Sequence, residues 1–463
     1  MRRFSEIRSI LETAVQGNDI GAHGNFWRQQ TRDQFVEFTY RGQRLVAKKA
    51  DGTFDEEESG LVKALEGRSP FGRDTGTAGA NFRRMPAGLS AVPRENIDVI
   101  RAWIRDGCPD DDLPILELMR QPLAQHDLSW LQRALQAAIE LELATLPPYL
   151  CGQWAIQDQT SRPATLIKSI VLDEMGHLGL ACNLLRATGA QPKILAAYDE
   201  IVYPGPLPGG VRPKCDPSFF PCNPHFHVSL GFTDFSSFAQ MCMQIEYPED
   251  PVPRPRPFAL GAEIFPSIGE FYNAILSALQ ALDGTFSYQT DKQLQNDFPA
   301  VFVVDGLSKA TEAISRIQKQ GEGSSKFPFV DAQGTKLAHF YTFGEIYFGK
   351  KYVFDKAKQT GDWTGDPVTF PPSPVPQVFP MTPVPLGGYK ADVPTGVADC
   401  DKLFTKMLQQ LDDAWARGEP NALNSAIDSM IALKSKAIAL LTSQIPRPEG
   451  GIYGPQFRRT AVV

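Results

Sequence analysis

Two side chains stand out for chemistry, Glu174 and His177, three residues apart in LIKSIVLDEMGHLGLACNLL (166–185). That spacing places both on one face of an α-helix, about one turn apart. The apolar residues Ile167, Ile170, Val171, Leu178, Ala181 and Leu185 recur at helical intervals, and the pair falls on their stripe. A carboxylate and an imidazole aimed into an apolar interior each cost roughly several kcal/mol unless compensated. A bound cation compensates both at once. The plainer reading of this common spacing is a hydrogen-bonded core histidine beside a partly exposed acid.

The preceding segment, WLQRALQAAIELELATLPP (130–148), carries a stripe of Leu131, Leu135 and Ala138, then Glu142, then Leu146. Glu142 stands where the pattern asks for a hydrophobe, whereas Glu140 shares the solvated side with Arg133 and Gln136. Pro147 and Pro148 are expected to end or kink this helix. An inward Glu followed by an inward Glu-x-x-His on the next helix is half of a carboxylate-bridged two-metal centre, as built in four-helix bundles. The two helices are expected at about 128–157 and 163–189.

The phrases ELELATLPPYL, IVLDEMGHLGLACNLLRATGAQP and IGEFYNAI resemble the ferritin-like domain of the iminophenylpyruvate dimer synthase family, which acts in bisindole pigment biosynthesis. The similarity spans about Leu128 to Phe354, with an echo in GPQF up to Phe457. It implies a mainly α protein built on a ferritin-like four-helix bundle. It also implies that Ser267 to Leu282 is the third main helix and raises Glu270 above Glu246 and Glu263 as its ligand. Glu270 would otherwise read as an acid favoured in a helix first turn. A segment at Thr233 to Tyr247 also reads as helical. The fourth bundle helix is read at Lys336 to Phe348, with His339 facing inward. A second Glu-x-x-His would need an acid at 336, where Lys336 stands. The expected metal ligands are therefore Glu142, Glu174, His177, Glu270 and His339, one carboxylate short of a full set, with Glu246 or Glu345 able to supply it. Failing both, the site is mononuclear or asymmetric.

At 463 residues the chain is expected to hold more than one domain. Its 42% hydrophobic and 21% charged content is that of a globular protein, and a net charge of -7 argues against nucleic acid as the main partner. No apolar run approaches the roughly 20 residues of a membrane span, and MRRFSEIRSILETAV lacks the apolar core of a secretory signal. The seven cysteines are odd in number and thinly spaced, which fits reduced thiols in the cytoplasm.

Residues 1–112 are expected to form a small helical unit, with helices near Phe4 to Val15 and over Ile97 to Ile104. Its RRMPAGLSAVPRENIDVIRAWIRDGCPDD resembles the closing segment of small c-type cytochromes, in which Met85 would be an axial haem ligand. With no Cys-x-x-Cys-His, covalent haem is excluded and the unit is expected to carry no haem; His23 reads as a solvated loop residue. The bundle is expected over 113–354, and a proline-rich strap with a helical pair packed on the bundle over 355–463. That pair, near Asp399 to Ala416 and Asn421 to Ser443, should bury Leu403, Met407, Leu411, Ile427, Met430, Ile431 and Ile438. Cys215, Cys222, His225 and His227 in a long proline-rich loop fit no usual zinc spacing.

Oxygen-rich ligands favour iron, or manganese in its place, over soft metals. The expected function is a non-haem iron oxidoreductase that uses dioxygen on a small organic substrate, which the resemblance makes amino-acid-derived or indolic and part of secondary metabolism. Tyr149, Trp154, Phe271, Tyr272, Phe340 and Tyr341 could line its pocket or form plain core. The competing class is a non-catalytic metal-binding or scaffold protein; a homo-oligomer stays open in both.

Overall fold

The computed structural model describes residues 4–15, 24, 26–28, 30, 32–49, 51–108, 115–214, 226–248, 265–297, 299–323, 328–330, 334–370, 377–389 and 392–460. His23, Cys215, Cys222, His225 and Glu263 lie outside them. The chain divides into two compact units, Met1–Pro114 and Ile115–Val463.

The first unit contains α1 (Phe4–Val15), α2 (Arg32–Val36), α3 (Gly60–Glu66) and α4 (Arg94–Arg105). Two antiparallel ribbons join them: β1 (Thr39–Tyr40) with β2 (Gln43–Arg44), and β3 (Ala47–Lys48) with β4 (Phe54–Asp55). The predicted face of α4, Ile97, Ile100, Trp103 and Ile104, is buried. Trp103 stacks on Phe4 at 5.9 Å and meets Phe35 edge-on at 6.0 Å. Met85 packs against this core and lines an apolar cavity of about 120 Å³.

The second unit begins with α5 (Ile115–Met119), α6 (Leu128–Ala155), α7 (Arg162–Ala187) and α8 (Ile194–Asp199). It continues with α9 (Phe235–Ile245), α10 (Ile268–Ala281), α11 (Leu307–Gly321) and α12 (His339–Phe348). An antiparallel hairpin follows, β5 (Lys350–Asp355) with β6 (Thr360–Pro367), and the helical pair α13 (Thr395–Arg417) and α14 (Pro420–Ser443) closes it. The molecule is mainly α, as expected of a ferritin-like helical fold. Among the described residues no helix is long and apolar enough to cross a membrane.

Two antiparallel pairs form the bundle: α6 with α7, and α9 with α12, joined through α6–α9 and α7–α12 contacts. The partner of α12 is thus α9, not the α10 anticipated from the sequence. The α9 helix buries Phe238, Cys242 and Ile245 and starts from a capping box between Asp234 and Ser237, while α10 packs on α6 and α11. Close approach of α6 and α9 requires Gly152, since a Cβ there would run into the Phe238 ring.

The two prolines of α6 neither end nor break it; both lie inside the helix, which runs on to Ala155. Pro148 has no N–H to give the Ala144 carbonyl, and the Tyr203 hydroxyl donates to that oxygen instead, at 2.8 Å. The C-terminal pair also differs from expectation. Phe404, Leu408, Trp415, Leu433, Leu440 and Leu441 are buried, whereas Ile431 is 59% exposed. Part of the predicted stripe, with Met407 and Met430, instead borders an apolar cavity of about 330 Å³ between this pair and Leu146, Leu150 and Met175. Asn183 fastens α7 to its surroundings, donating to the Leu294 and Phe302 carbonyls at 2.7 and 2.8 Å and accepting from Trp415 Nε1 at 3.0 Å.

Candidate metal centre

The α6 stripe delivers Glu142 to the bundle interior, and α7 delivers Glu174 and His177 beside it; all three are 2–3% exposed. Opposite them, Glu246 caps the C-terminus of α9 and His339 is the first residue of α12, both equally buried. The donors fall into two groups close enough to hold one ion each: Glu142, Glu174 and His177, and Glu174, Glu246 and His339. Glu174 belongs to both. His177 Nδ1 lies 3.5 Å from Glu174 Oε1 and 3.8 Å from Glu142 Oε2. His339 Nδ1 lies 2.9 Å from the same Glu174 oxygen and 3.5 Å from Glu246 Oε1.

Of the residues expected from the sequence, Glu142, Glu174, His177 and His339 come together, and Glu270 is in neither group. Glu270 sits half-buried in the first turn of α10, where its backbone N–H donates to the Ser267 hydroxyl at 3.1 Å. The third carboxylate is Glu246. Glu345 is occupied elsewhere, accepting from the Tyr352 N–H at 3.1 Å and pairing with Arg162 at 3.4 Å.

Hydroxyls hold the carboxylates. Tyr272 donates to Glu142 Oε1 at 2.5 Å, Tyr149 to Glu246 Oε1 at 2.6 Å and Thr145 to Glu174 Oε2 at 3.0 Å. Of the other aromatics expected near the site, Trp154 stacks on Phe457 and Tyr341 on Trp363, as core. Neither tyrosine had been singled out from the sequence as a carboxylate partner; each lies on a buried helix face, where a hydroxyl needs an acceptor.

The charges are strongly coupled. Burial, reinforced by Glu174, pushes Glu142 up to about 8. Burial would raise Glu174 too, but His177 and His339 together outweigh it and hold that carboxyl well below the usual range. Burial would lower both histidines; Glu174 and Glu142 overcome it at His177, and Asp173, Glu174 and Glu246 lift His339 well above its ordinary value. His339 Nδ1 is buried and makes no hydrogen bond despite its short approach to Glu174. A buried nitrogen without a hydrogen-bond partner, facing carboxylates, fits a metal ligand.

A solved ferritin like protein from Caulobacter vibrioides is similar to this chain with 23% identity and a TM-score of 0.49, over 70% of this chain and 97% of that one. Among curated proteins none matches. A family model described as Ferritin-like matches residues 135–348, a span that holds Glu142, Glu174, His177, Glu246 and His339. Residues 135–348 are therefore a ferritin-like domain.

Proposed function

We propose that the five donors hold two metal ions, iron or manganese in its place, and that the protein is an oxidoreductase acting with dioxygen on a small organic molecule. The observation that carries this reading is the pair of donor groups meeting at Glu174, with a buried His339 nitrogen that no hydrogen bond satisfies. Oxygen and nitrogen donors without a thiolate suit these metals. Bound ferrous ions would supply the electrons with which dioxygen is reduced. Tyr149 holds Glu246 through Oε1, the oxygen that faces His339, while Tyr272 engages one oxygen of Glu142 and leaves the other, nearer His177, to ligate. Thr145 does the same for Glu174. The resemblance to the iminophenylpyruvate dimer synthase family points to oxidative coupling or oxygenation of an amino-acid-derived or indolic substrate.

Metal analysis of the purified chain should find up to two irons per chain, and anaerobically loaded ferrous protein should consume oxygen when air is admitted. Tight metal without oxygen uptake would leave a metal-binding protein that is not an oxidase. No metal at all would leave a scaffold.

A further inference from the structure

The two donor groups meet a second time, on the outer side of the histidine rings, at Asp173. Lys336 Nζ donates to both Asp173 oxygens, at 2.8 and 2.6 Å. Gln320 Nε2 donates to Oδ1 at 2.9 Å, and His339 Nε2 lies 3.3 Å from Oδ2. The other end of the Gln320 amide, Oε1, lies 3.0 Å from His177 Nε2. A carboxylate gripped by an ammonium on both oxygens only accepts hydrogen bonds. Gln320 must then turn its NH2 toward Asp173 and its oxygen toward His177, which obliges His177 Nε2 to carry a proton. His339 Nε2, facing Asp173 directly, must carry one as well. With Nε2 protonated, the lone pair of each neutral ring is on Nδ1, the nitrogen that faces Glu142, Glu174 and Glu246.

We propose that Asp173 is the positioning residue for both histidines, fixing the Nδ1-ligating tautomer of His339 directly and that of His177 through Gln320, and so links the two metal positions. This rests on the metal reading above. Lys336 gains a role from it. It stands three residues before His339, where a symmetric motif would place an acid. With Glu246 delivering that oxygen from α9, position 336 holds a cation that keeps Asp173 an acceptor. Carboxylates and amides behind ligating histidines typically contribute 10–100-fold to metal affinity. One carboxylate serving two histidines should therefore weaken both positions when altered, while the intervening amide should weaken one.

Two measurements on the full chain test this. Apo-protein is titrated with Mn2+, reading free ion by electron paramagnetic resonance. Protein labelled with 15N-histidine and loaded with Zn2+ is examined for which ring nitrogen is bound, His177 being assigned by its loss in His177→Gln. Wild type should show two histidines bound through Nδ1 with protonated Nε2. Asp173→Asn, nearly identical in shape, should weaken both Mn2+ equivalents by about 10–100-fold and perturb both rings. Gln320→Leu should weaken one equivalent by about tenfold and perturb His177 alone. Should Asp173→Asn not fold, Gln320→Leu decides, since an unchanged His177 ring there overturns the inference. Wild-type affinities in both variants overturn it while leaving the metal reading intact, as does a loss confined to one position in Asp173→Asn. A wild-type chain that takes up neither ion overturns the metal reading, and this inference with it.

Discussion

The two donor groups share Glu174 and the same chemistry, yet they are made differently. The group of Glu142, Glu174 and His177 comes from the interiors of α6 and α7, where one helical turn separates partners. Glu246 and His339 instead stand at helix ends, one just past the last turn of α9 and the other opening α12. Interior donors are held by helix geometry on both sides. End donors depend on what reaches them from elsewhere, here Tyr149 on Glu246 and Asp173 on His339. The proposed ligand set thus draws on helix interiors in one half and on helix ends in the other.

The sharpest way to break the comparison is at the shared residue. Glu174→Gln should remove both metal positions, lowering Mn2+ or Fe2+ content from up to two equivalents to near zero, with affinity falling more than about 100-fold. A variant that keeps one full-strength equivalent would show that the groups do not share Glu174. Next in size, Glu142→Gln and Glu246→Gln should each cost one equivalent, visible as a single remaining step in a titration. Glu270→Gln and Glu345→Gln should leave both steps within about twofold; a lost step in Glu270→Gln would restore it to the ligand set.

This difference also explains what could be read beforehand. Glu142 interrupts an apolar stripe and Glu174 lies three residues from His177, so periodicity alone exposed them. Periodicity says little at the end of a helix, so Glu246, just before the break at Pro248, stood only as an alternative for the missing carboxylate. Glu270, placed in a well-formed helix and favoured by family resemblance, took the position instead. How α6 runs on through its prolines could not be read, because the group that satisfies the freed carbonyl, Tyr203, lies 59 residues away. The C-terminal pair carries two apolar stripes per helix, and only the fold decides that Phe404 and Leu408 go to the core while Met407 borders the cavity. Asp173 gave no signal beyond its place next to Glu174.

A further sharpening comes from pH. Glu142 is raised to about 8, and both histidines are raised by the carboxylates around them. Below those values the apo site holds protons that an entering cation must displace. Metal affinity should therefore climb with pH, about tenfold per pH unit for each proton displaced, up to and through the region near 8 where Glu142 gives up its proton. Linkage gives the opposite trend for the apo fold. A group raised from 4.5 to about 8 stabilises fully below pH 4.5 and loses that contribution as pH rises through 8. The gap in Tm between metal-loaded and apo protein should accordingly widen from pH 6 to pH 8. Ferrous or Mn2+ titrations at several pH values, with parallel melting curves, check both signs; a flat affinity would mean that the histidines enter the site already neutral.

The smallest expected effect concerns a carboxyl close to the helix-end group. Glu322 follows α11, is 4% exposed, and accepts from the Gly269 N–H at 2.6 Å. Burial pushes it up to about 8; the Gly269 N–H and Ser267 work against that rise, while Glu246 and Glu270 add to it. Glu246 and Glu270 both oppose its ionisation, which adds a further negative charge beside Glu246. Its stabilising contribution is complete below pH 4.5 and fades as pH passes 8. Glu322→Gln keeps the shape and an oxygen for the Gly269 N–H but cannot ionise. At pH 5.5 its Tm should match wild type within about 2 °C, and at pH 9 it should exceed wild type by roughly 3–6 °C. Removing the nearby charge also takes away negative potential that favours a cation at Glu246 and His339. The weaker metal step should therefore loosen by about two- to threefold at pH 9 while the step held by Glu142 and His177 stays fixed. Equal loosening of both steps would mean that the two positions feel Glu322 alike, and that the interior half is no better insulated than the half built at helix ends.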